Sequence, residues 1–371
     1  MNIVIFNWRD LEHPKAGGAE VVTHALASGL AQRGHRVTWF TSRHPRASEQ
    51  QERDGYAVVR RGGELTCRFH ALAWLRRRSD EFDAVVDEVN TLPFLSRFAT
   101  RRPVILWLHQ LAREVWLAEA PPIVGRVGYA FERPMLALYR GLPIVTGAAS
   151  SARSFAAMGL AGATVIPYPL PPPDDLSRSQ PEIGRVGCVG RVAASKRIDH
   201  IIRALAIVRE QIPEAELIVI GGGPAKERRR LEALARNLGV ERAVTFTGRV
   251  SRDERDALMR SFDVLAMASL REGWGLVVSE AARFCVPSVV YPVAGLIDSV
   301  QDGVTGLVTV NQTPEALDAD LMRLIEDRAL RDRLGNAAAE YLLSFSEERF
   351  VGEFERLLAA ATAGKSSTSC D

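Results

Sequence analysis

Residues 271–281 read REGWGLVVSEA and lie between two segments of different character. The largely apolar run 262–267 predicts a short buried strand, and residues 277–284 predict a helix. The first backbone amides of a helix have no partner inside it and bind anions well. Gly273 and Gly275 allow a ligand to approach the main chain closely. The stretch therefore predicts an α/β sheet with a ligand site at a strand, glycine loop and helix junction.

Two carboxylates flank this junction, one in the loop and one about a turn into the helix. A carboxylate repels a phosphate, whereas it accepts hydrogen bonds from sugar hydroxyls. We therefore expect Glu272 to bind a hexose and Glu280 to bind the ribose of a nucleotide, with a diphosphate between them. The residues expected to bind this sugar nucleotide are Glu272, Gly273, Trp274, Gly275, Leu276 and Glu280.

The spacing of the two glutamates within EGWGLVVSEA resembles the donor-site signature of retaining nucleotide-sugar glycosyltransferases of family 4. The opening segment AGGAEVVTHALASGLAQRGHRV, residues 16–37, resembles the start of the same family. It lacks the G-x-G-x-x-G spacing of NAD-binding proteins. The resemblance implies an α/β fold of two facing Rossmann-like, doubly wound domains (the GT-B architecture) with a cleft between them. It also implies that Gly17 and Gly18 approach the donor phosphates and the acceptor.

A second cationic turn follows the predicted strand 185–189. The motif G-R-x-x-x-x-K, formed by Gly190, Arg191 and Lys196, places two cations before a helix, as a diphosphate leaving group requires. The chain has only four lysines against 43 arginines, so a lysine here is informative. The motif resembles the pyrophosphate-binding pair of family 4. By the same resemblance, Gly222 lines the nucleotide pocket and Arg249 or Val250 contacts the base.

Polar residues also follow two predicted strands of the first half. Glu88 and Asn90 stand at one strand end, and His109 and Gln110 at the next. From the residues alone, helix capping or packing explains Asn90 and His109 as well as a site does. The resemblance places His109 close to the hexose and the acceptor, although Gln110 stands where many relatives have aspartate. We expect a catalytic set of His109, Arg191, Lys196 and Glu272, and an acceptor-binding set of Glu88, Asn90, His109 and Gln110.

The length of 371 residues suits two α/β domains. The alternation of predicted strands and helices, with a proline-rich run in the middle, sets the boundaries. We expect an N-terminal acceptor-binding domain over 1–167, a linker over 168–182, and a nucleotide-sugar-binding domain over 183–345. A C-terminal helix over 346–362 is expected to cross back to the first domain, and residues 363–371 to be disordered.

The composition limits the cellular compartments and the kinds of partner that fit this protein. No leader sequence and no apolar run of roughly 18 residues are recognisable. The four cysteines have neither metal-ligand nor disulfide spacing, which favours the cytoplasm. Residues 1–167 carry 21 Lys and Arg against 15 Asp and Glu. This excess leaves open a peripheral contact with the inner face of a membrane, whereas no motif indicates nucleic-acid binding.

The sequence thus predicts a retaining, metal-independent glycosyltransferase without a cofactor. It would move a hexosyl unit from a nucleotide diphosphate sugar to a glycan, lipid-linked or small-molecule acceptor, in cell-surface glycan or glycolipid assembly. Three alternatives stay open: glycosylation of a secondary metabolite, a sugar-nucleotide epimerase, and a non-catalytic sugar-nucleotide-binding protein on the same fold.

Overall fold

A computed structural model of the chain describes residues 1–45, 47–173 and 184–366. These residues form two compact units. Unit 1 comprises residues 1–112, 130–169 and the C-terminal segment from 345, and unit 2 comprises residues 113–129 and 170–344. Most of the predicted linker, 174–182, lies outside the described residues.

The strands alternate with helices along most of the chain. The strands are β1 Asn2–Phe6, β2 Arg36–Thr41, β3 Gln50–Arg53, β4 Tyr56–Arg60, β5 Ala84–Val89, β6 Val104–Leu108, β7 Ile144–Thr146, β8 Thr164–Val165, β9 Arg185–Val189, β10 Glu216–Ile220, β11 Val244–Gly248, β12 Val264–Met267, β13 Ser288–Val290 and β14 Gly306–Val308. The α-helices are α1 Gly18–Gln32, α2 Cys67–Arg78, α3 Glu114–Glu119, α4 Pro122–Ala137, α5 Ala149–Ala157, α6 Ile198–Gln211, α7 Ala225–Asn237, α8 Arg252–Arg260, α9 Leu276–Ala282, α10 Leu296–Ser299, α11 Pro314–Glu326, α12 Arg328–Leu342 and α13 Glu347–Ser366.

Each unit is built on one sheet. In unit 1 the strand order is β3-β4-β2-β1-β5-β6-β7-β8, and in unit 2 it is β11-β10-β9-β12-β13-β14. All pairs are parallel except β3 with β4. The central strands β1 and β5 are almost wholly buried, as expected of parallel strands covered on both faces. The predicted α/β class with two Rossmann-like domains is confirmed.

The core of unit 2 depends on close packing around β9. A Cβ atom built on Gly187 would lie 2.0 Å from the ring of Phe262, so only glycine fits at this strand position. Asp263 directly precedes β12 and accepts hydrogen bonds from the amides of Gly184 and Arg185 at 2.7 and 3.0 Å. These contacts fix the register in which the glycine turn after β9 meets the end of β12.

The last helix of the chain belongs to unit 1. A Cβ atom on Gly29 of α1 would lie 2.5 Å from Val351 of α13, and Arg33 donates to Glu355 at 2.8 Å. The helix continues to Ser366, so residues 363–366, which we expected to be disordered, are helical. Residues 367–371 lie outside the described part of the chain.

Several elements were not predicted. The edge strand β3 has half-exposed polar residues, and α3, α7 and α8 lie where the sequence analysis assigned no element. Charged residues dominate α7 and α8, so few apolar residues remain to indicate a helix: the buried ones are Leu231 and Ala235 in α7 and Met259 in α8. Within the described residues, no helix is both long enough and apolar enough to cross a membrane.

Candidate functional site

Two glycine turns of unit 2 lie against each other at the carboxyl ends of β9 and β10. The amides of Gly190 and Val192 donate to the carbonyls of Ile220 and Gly222, both at 2.9 Å. A Cβ atom on Gly221 would lie 1.9 Å from the Gly190 carbonyl oxygen, and Gly221 has φ +140°. The turns therefore need glycine for mutual packing, and they form one edge at the place where α/β sheets bind ligands.

A small pocket opens beside these turns. It is lined by Gly190, Arg191, Lys196 and Ser269 among others. Both predicted cations therefore lie at one pocket, which the sequence spacing had placed only on one turn. Within the described residues, no group of three or more His, Cys, Asp or Glu side chains is arranged to hold a metal ion.

Carboxylates pair with both cations. Lys196 Nζ donates to Glu272 Oε1, which also accepts from Ser269 Oγ at 2.7 Å. The Arg191 guanidinium donates both Nη atoms to the Glu119 carboxylate at 3.1 Å each. The predicted Lys196 and Glu272 positions are thus in direct contact, and the pocket already accommodates negative charge.

The loop over 272–275 packs against a second loop, which contains Ala294 and Gly295. The amide of Glu272 donates to the Ala294 carbonyl at 3.2 Å, and a Cβ atom on Gly295 would lie 2.3 Å from the Glu272 carbonyl oxygen. Gly275 has φ +86° and precedes Leu276, the first residue of α9. The backbone conformation at this position therefore favours glycine, whether or not a ligand is bound.

Trp274 packs inward. Its side chain is buried and its indole Nε1 donates to Ser279 Oγ at 3.0 Å. The predicted donor contact of Trp274 therefore does not involve its ring in this structure. The sequence alone does not separate a stacking tryptophan from one that anchors the loop to the helix.

Glu280 is mostly covered by protein and lies beside an arginine. Its Oε1 is 3.3 Å from Arg255 Nη1. Burial raises the pKa of Glu280 above its usual value of 4.5, and Arg255 opposes part of this rise.

The residues predicted to line the base lie close to one another. The Arg249 side chain lies over Gly222, since a Cβ atom on that glycine would be 3.0 Å from Arg249 Cγ. Val250 is half-buried next to it.

We expect nucleotide affinity to depend on the ionisation of Glu280. A ribose diol is bound best by the carboxylate, so affinity rises as pH increases through the raised pKa of this group. Titrations of a nucleoside diphosphate at pH values between about 5 and 8 test this. We expect the loss of affinity at low pH to disappear in Glu280→Gln and to remain in Glu326→Gln, at an exposed position of α11. The same loss of affinity at low pH in Glu280→Gln contradicts the assignment.

In unit 1, the predicted residues Glu88 and His109 form a buried hydrogen-bonded network. The fully buried Glu88 carboxylate lies 2.8 Å from His109 Nε2 and accepts from Asn7 Nδ2 and Thr23 Oγ1, each at 2.7 Å. His109 Nδ1 contacts the hydroxyl of Tyr168. Burial raises the pKa of Glu88, and the hydrogen bonds from His109 and Thr23 oppose this rise.

This network changes the interpretation of the first unit. Glu88 has no exposed surface, so it orients His109 rather than touching an acceptor as predicted. Both ring nitrogens of His109 already have partners, so a sugar hydroxyl would have to replace one of them. Asn90 is half-buried and donates to Asn7 Oδ1 at 3.1 Å. The buried Oε1 of Gln110 has no hydrogen-bond partner among the described atoms.

The opening glycine turn is exposed. The amide of Gly17 donates to Glu20 Oε2 at 2.6 Å, and Glu20 Oε1 accepts from Arg9 Nε at 2.9 Å. Glu20 thus caps α1, while Gly17 and Gly18 themselves stay at the surface. This arrangement leaves the turn accessible to a ligand, as predicted for a phosphate or acceptor contact.

Sequence reasoning missed four residues of these sites. Tyr168 appeared only as part of the predicted linker, yet its ring is buried and a Cβ atom on Gly147 would lie 2.4 Å from it. Glu119, Ser195 and Ser269 are not among the residues that the motifs specify. The contacts of Glu119 with Arg191 and Ser195 join segments 72 and 76 positions apart, so no local signal was available for them, whereas Ser269 lies three positions from Glu272.

Two family models together match most of the chain. That of Glycosyl transferases group 1 matches residues 174–341, and that of Glycosyltransferase Family 4 matches residues 16–169. The chain belongs to glycosyltransferase family 4. The resemblance read from residues 16–37 and 271–281 is therefore confirmed.

Curated relatives of this glycosyltransferase match about half of it. The D-inositol 3-phosphate glycosyltransferase of Salinispora arenicola is 35% identical over 191 residues, 49% of this chain and 43% of the relative. The GDP-mannose-dependent alpha-(1-6)-phosphatidylinositol monomannoside mannosyltransferase of Mycobacterium tuberculosis is 31% identical over 224 residues, 54% of this chain and 57% of the relative. The match thus spans only about half the length of these relatives.

Solved structures show the same fold for the glycosyltransferase. Sucrose-phosphate synthase from Thermosynechococcus elongatus superposes with a TM-score of 0.79 at 20% identity, covering 98% of this chain and 99% of that one. Anabaena HepE in complex with UDP and glucose superposes with a TM-score of 0.73 at 19% identity, covering 97% and 100%. At these identities the likeness concerns the fold alone.

Proposed function

We propose that this glycosyltransferase moves a hexosyl unit from a nucleotide diphosphate sugar to an acceptor hydroxyl, with retention of the anomeric configuration and without a metal ion. The observation that carries the proposal is the meeting of Arg191 and Lys196 at one pocket on the carboxyl edge of the second sheet. Two cations beside one pocket stabilise the charge that develops on a departing diphosphate.

The remaining residues of unit 2 divide between the sugar and the nucleoside. Glu272 contacts Lys196 directly, so a hexose bound by Glu272 has its anomeric carbon near the cation that receives the leaving group. Glu280 binds the ribose, and Gly222, Arg249 and Val250 line the base. In the reaction the bond from C1 to the phosphate oxygen breaks, the bond from C1 to the acceptor oxygen forms, and the acceptor proton passes to the departing phosphate.

We propose that the acceptor is lipid-linked or a growing glycan, in cell-surface glycan or glycolipid assembly on the cytoplasmic side. The names of two relatives give inositol phosphate and a phosphatidylinositol mannoside, both anionic. The excess of positive charge in residues 1–167 suits such a partner and a peripheral membrane contact.

The test is to incubate the protein with α-linked UDP-glucose and GDP-mannose and a panel of polyol, glycan and lipid-linked acceptors. Proton NMR of the anomeric region then identifies the product. We expect an α-glycoside from one donor. A β-glycoside contradicts retention. Conversion of the donor sugar without an acceptor indicates an epimerase, and binding without turnover indicates a sensor.

A further inference from the structure

The Glu119 carboxylate occupies a ready-made anion site in unit 2. Glu119 is the last residue of α3 and receives two hydrogen bonds from the Arg191 guanidinium, both at 3.1 Å. Ser195 Oγ donates to the same carboxylate, and Ser195 is buried. A guanidinium fork with an added hydroxyl binds a carboxylate and a phosphate with the same geometry.

The segment that carries Glu119 is attached to the pocket at a second point. Glu114, the first residue of α3, lies 3.2 Å from Arg271 Nε, and Arg271 directly precedes Glu272. Residues 113–129 are therefore attached at two points, at Arg191, which lines the pocket, and at Arg271, which is adjacent in sequence to Glu272.

The same segment is preformed as a compact hairpin. A Cβ atom on Gly128 of α4 would lie 2.5 Å from the Trp116 ring, and one on Gly125 would lie 2.5 Å from the Trp116 carbonyl oxygen. Because α3 packs this closely on α4, displacement of Glu119 can proceed as a movement of the hairpin rather than as its unfolding.

The attachment is weak enough to exchange. The side chains of Arg191 and Glu119 are 61% and 25% exposed. Ion pairs with this degree of exposure contribute little to stability. A diphosphate carries more negative charge than one carboxylate. A diphosphate bound at Arg191 would therefore repel the Glu119 carboxylate.

We propose that Glu119 is an internal anion that occupies the place of a donor phosphate. The diphosphate displaces it from Arg191, and Ser195 then donates its hydroxyl to a phosphate oxygen. Ser195 is thereby a further donor-binding residue, and residues 113–129 form a strap released by the donor. This inference rests on the proposed function, since it takes a nucleoside diphosphate as the ligand of this pocket.

The test compares nucleoside diphosphates with nucleosides by isothermal titration calorimetry of the full chain. UDP, GDP, uridine and guanosine are titrated into the wild type, Glu119→Gln, Glu119→Ala and Ser195→Ala at low ionic strength. The matched control is Glu232→Gln, which removes a Glu232–Arg228 pair of 2.8 Å on α7. We expect both Glu119 variants to bind the diphosphate about 2- to 5-fold more tightly. We expect Ser195→Ala to bind it more weakly and the control to match the wild type.

The increase in affinity of the Glu119 variants must be confined to ligands that carry the diphosphate. Unchanged or weaker diphosphate binding by both Glu119 variants overturns the inference while leaving the proposed function intact. An equal gain with the nucleosides also overturns it, because Glu119 would then act through another part of the pocket. If no variant binds any nucleoside diphosphate, both this inference and the proposed function are overturned.

Discussion

Replacing Lys196 by alanine lowers kcat/KM for the nucleotide sugar by roughly 10²- to 10³-fold, since one preorganised charge at a leaving group is worth about that much. Lys196 lies at the pocket and forms an ion pair with Glu272. Its replacement removes the cation from the diphosphate and leaves Glu272 without this partner, while the hydrogen bond from Ser269 Oγ remains. The measurement is initial-rate kinetics with the donor identified by NMR.

Two further variants separate charge from packing. Lys196→Arg keeps the charge but not the compact ammonium geometry, so we expect partial activity. Arg323→Ala removes a cation from an exposed pair with Asp320 on α11, and we expect kinetics like those of the wild type. A Lys196→Ala enzyme within threefold of the wild type would remove Lys196 from the account of leaving-group stabilisation.

Replacing Glu88 by leucine lowers the free energy of unfolding by about 3 kcal/mol or more, since polar groups of Asn7, Thr23 and His109 then lose a buried partner. Chemical denaturation followed by circular dichroism measures the change. The large effect is expected because the carboxylate is fully buried and accepts several hydrogen bonds.

The surface control for this variant is Glu81→Leu, which breaks an exposed pair with Arg78 and should leave the free energy of unfolding close to that of the wild type. Glu88→Gln keeps the shape and part of the network. If Glu88 positions His109, Glu88→Gln lowers kcat more than it changes the donor KM. Equal stability of Glu88→Leu and the wild type would contradict the network.

The fold was predictable because its strands are short, continuous apolar runs separated by glycine turns. Such runs are typical of parallel strands buried on both faces, and β1, β6 and β9 are clear examples. The edge strand β3 was not predictable, since its half-exposed polar residues gain their conformation from pairing with β4. Helices α7 and α8 are so rich in charge that their apolar stripe is reduced to a few positions.

The site was predictable only where residues follow one another in sequence. The motif around Arg191 and Lys196 is local, and its two cations do line one pocket. The partners of these cations come from distant segments: Glu119 reaches Arg191 across 72 positions, and Glu272 reaches Lys196 across 76. Likewise, Glu88 was predicted to bind an acceptor, but its carboxylate is fully buried against Thr23 and His109, which come from distant segments.

The most direct test of the account is thermal unfolding of the protein with UDP, GDP, ADP and TDP sugars, repeated with Lys196→Ala and Glu280→Ala. A ligand that binds only the folded state raises the midpoint of unfolding by mass action. We expect sugars of one nucleotide family to raise the midpoint of the wild type and both substitutions to abolish the increase. No increase at millimolar concentration, or an increase that survives both substitutions, would contradict the placement of the donor in the second unit.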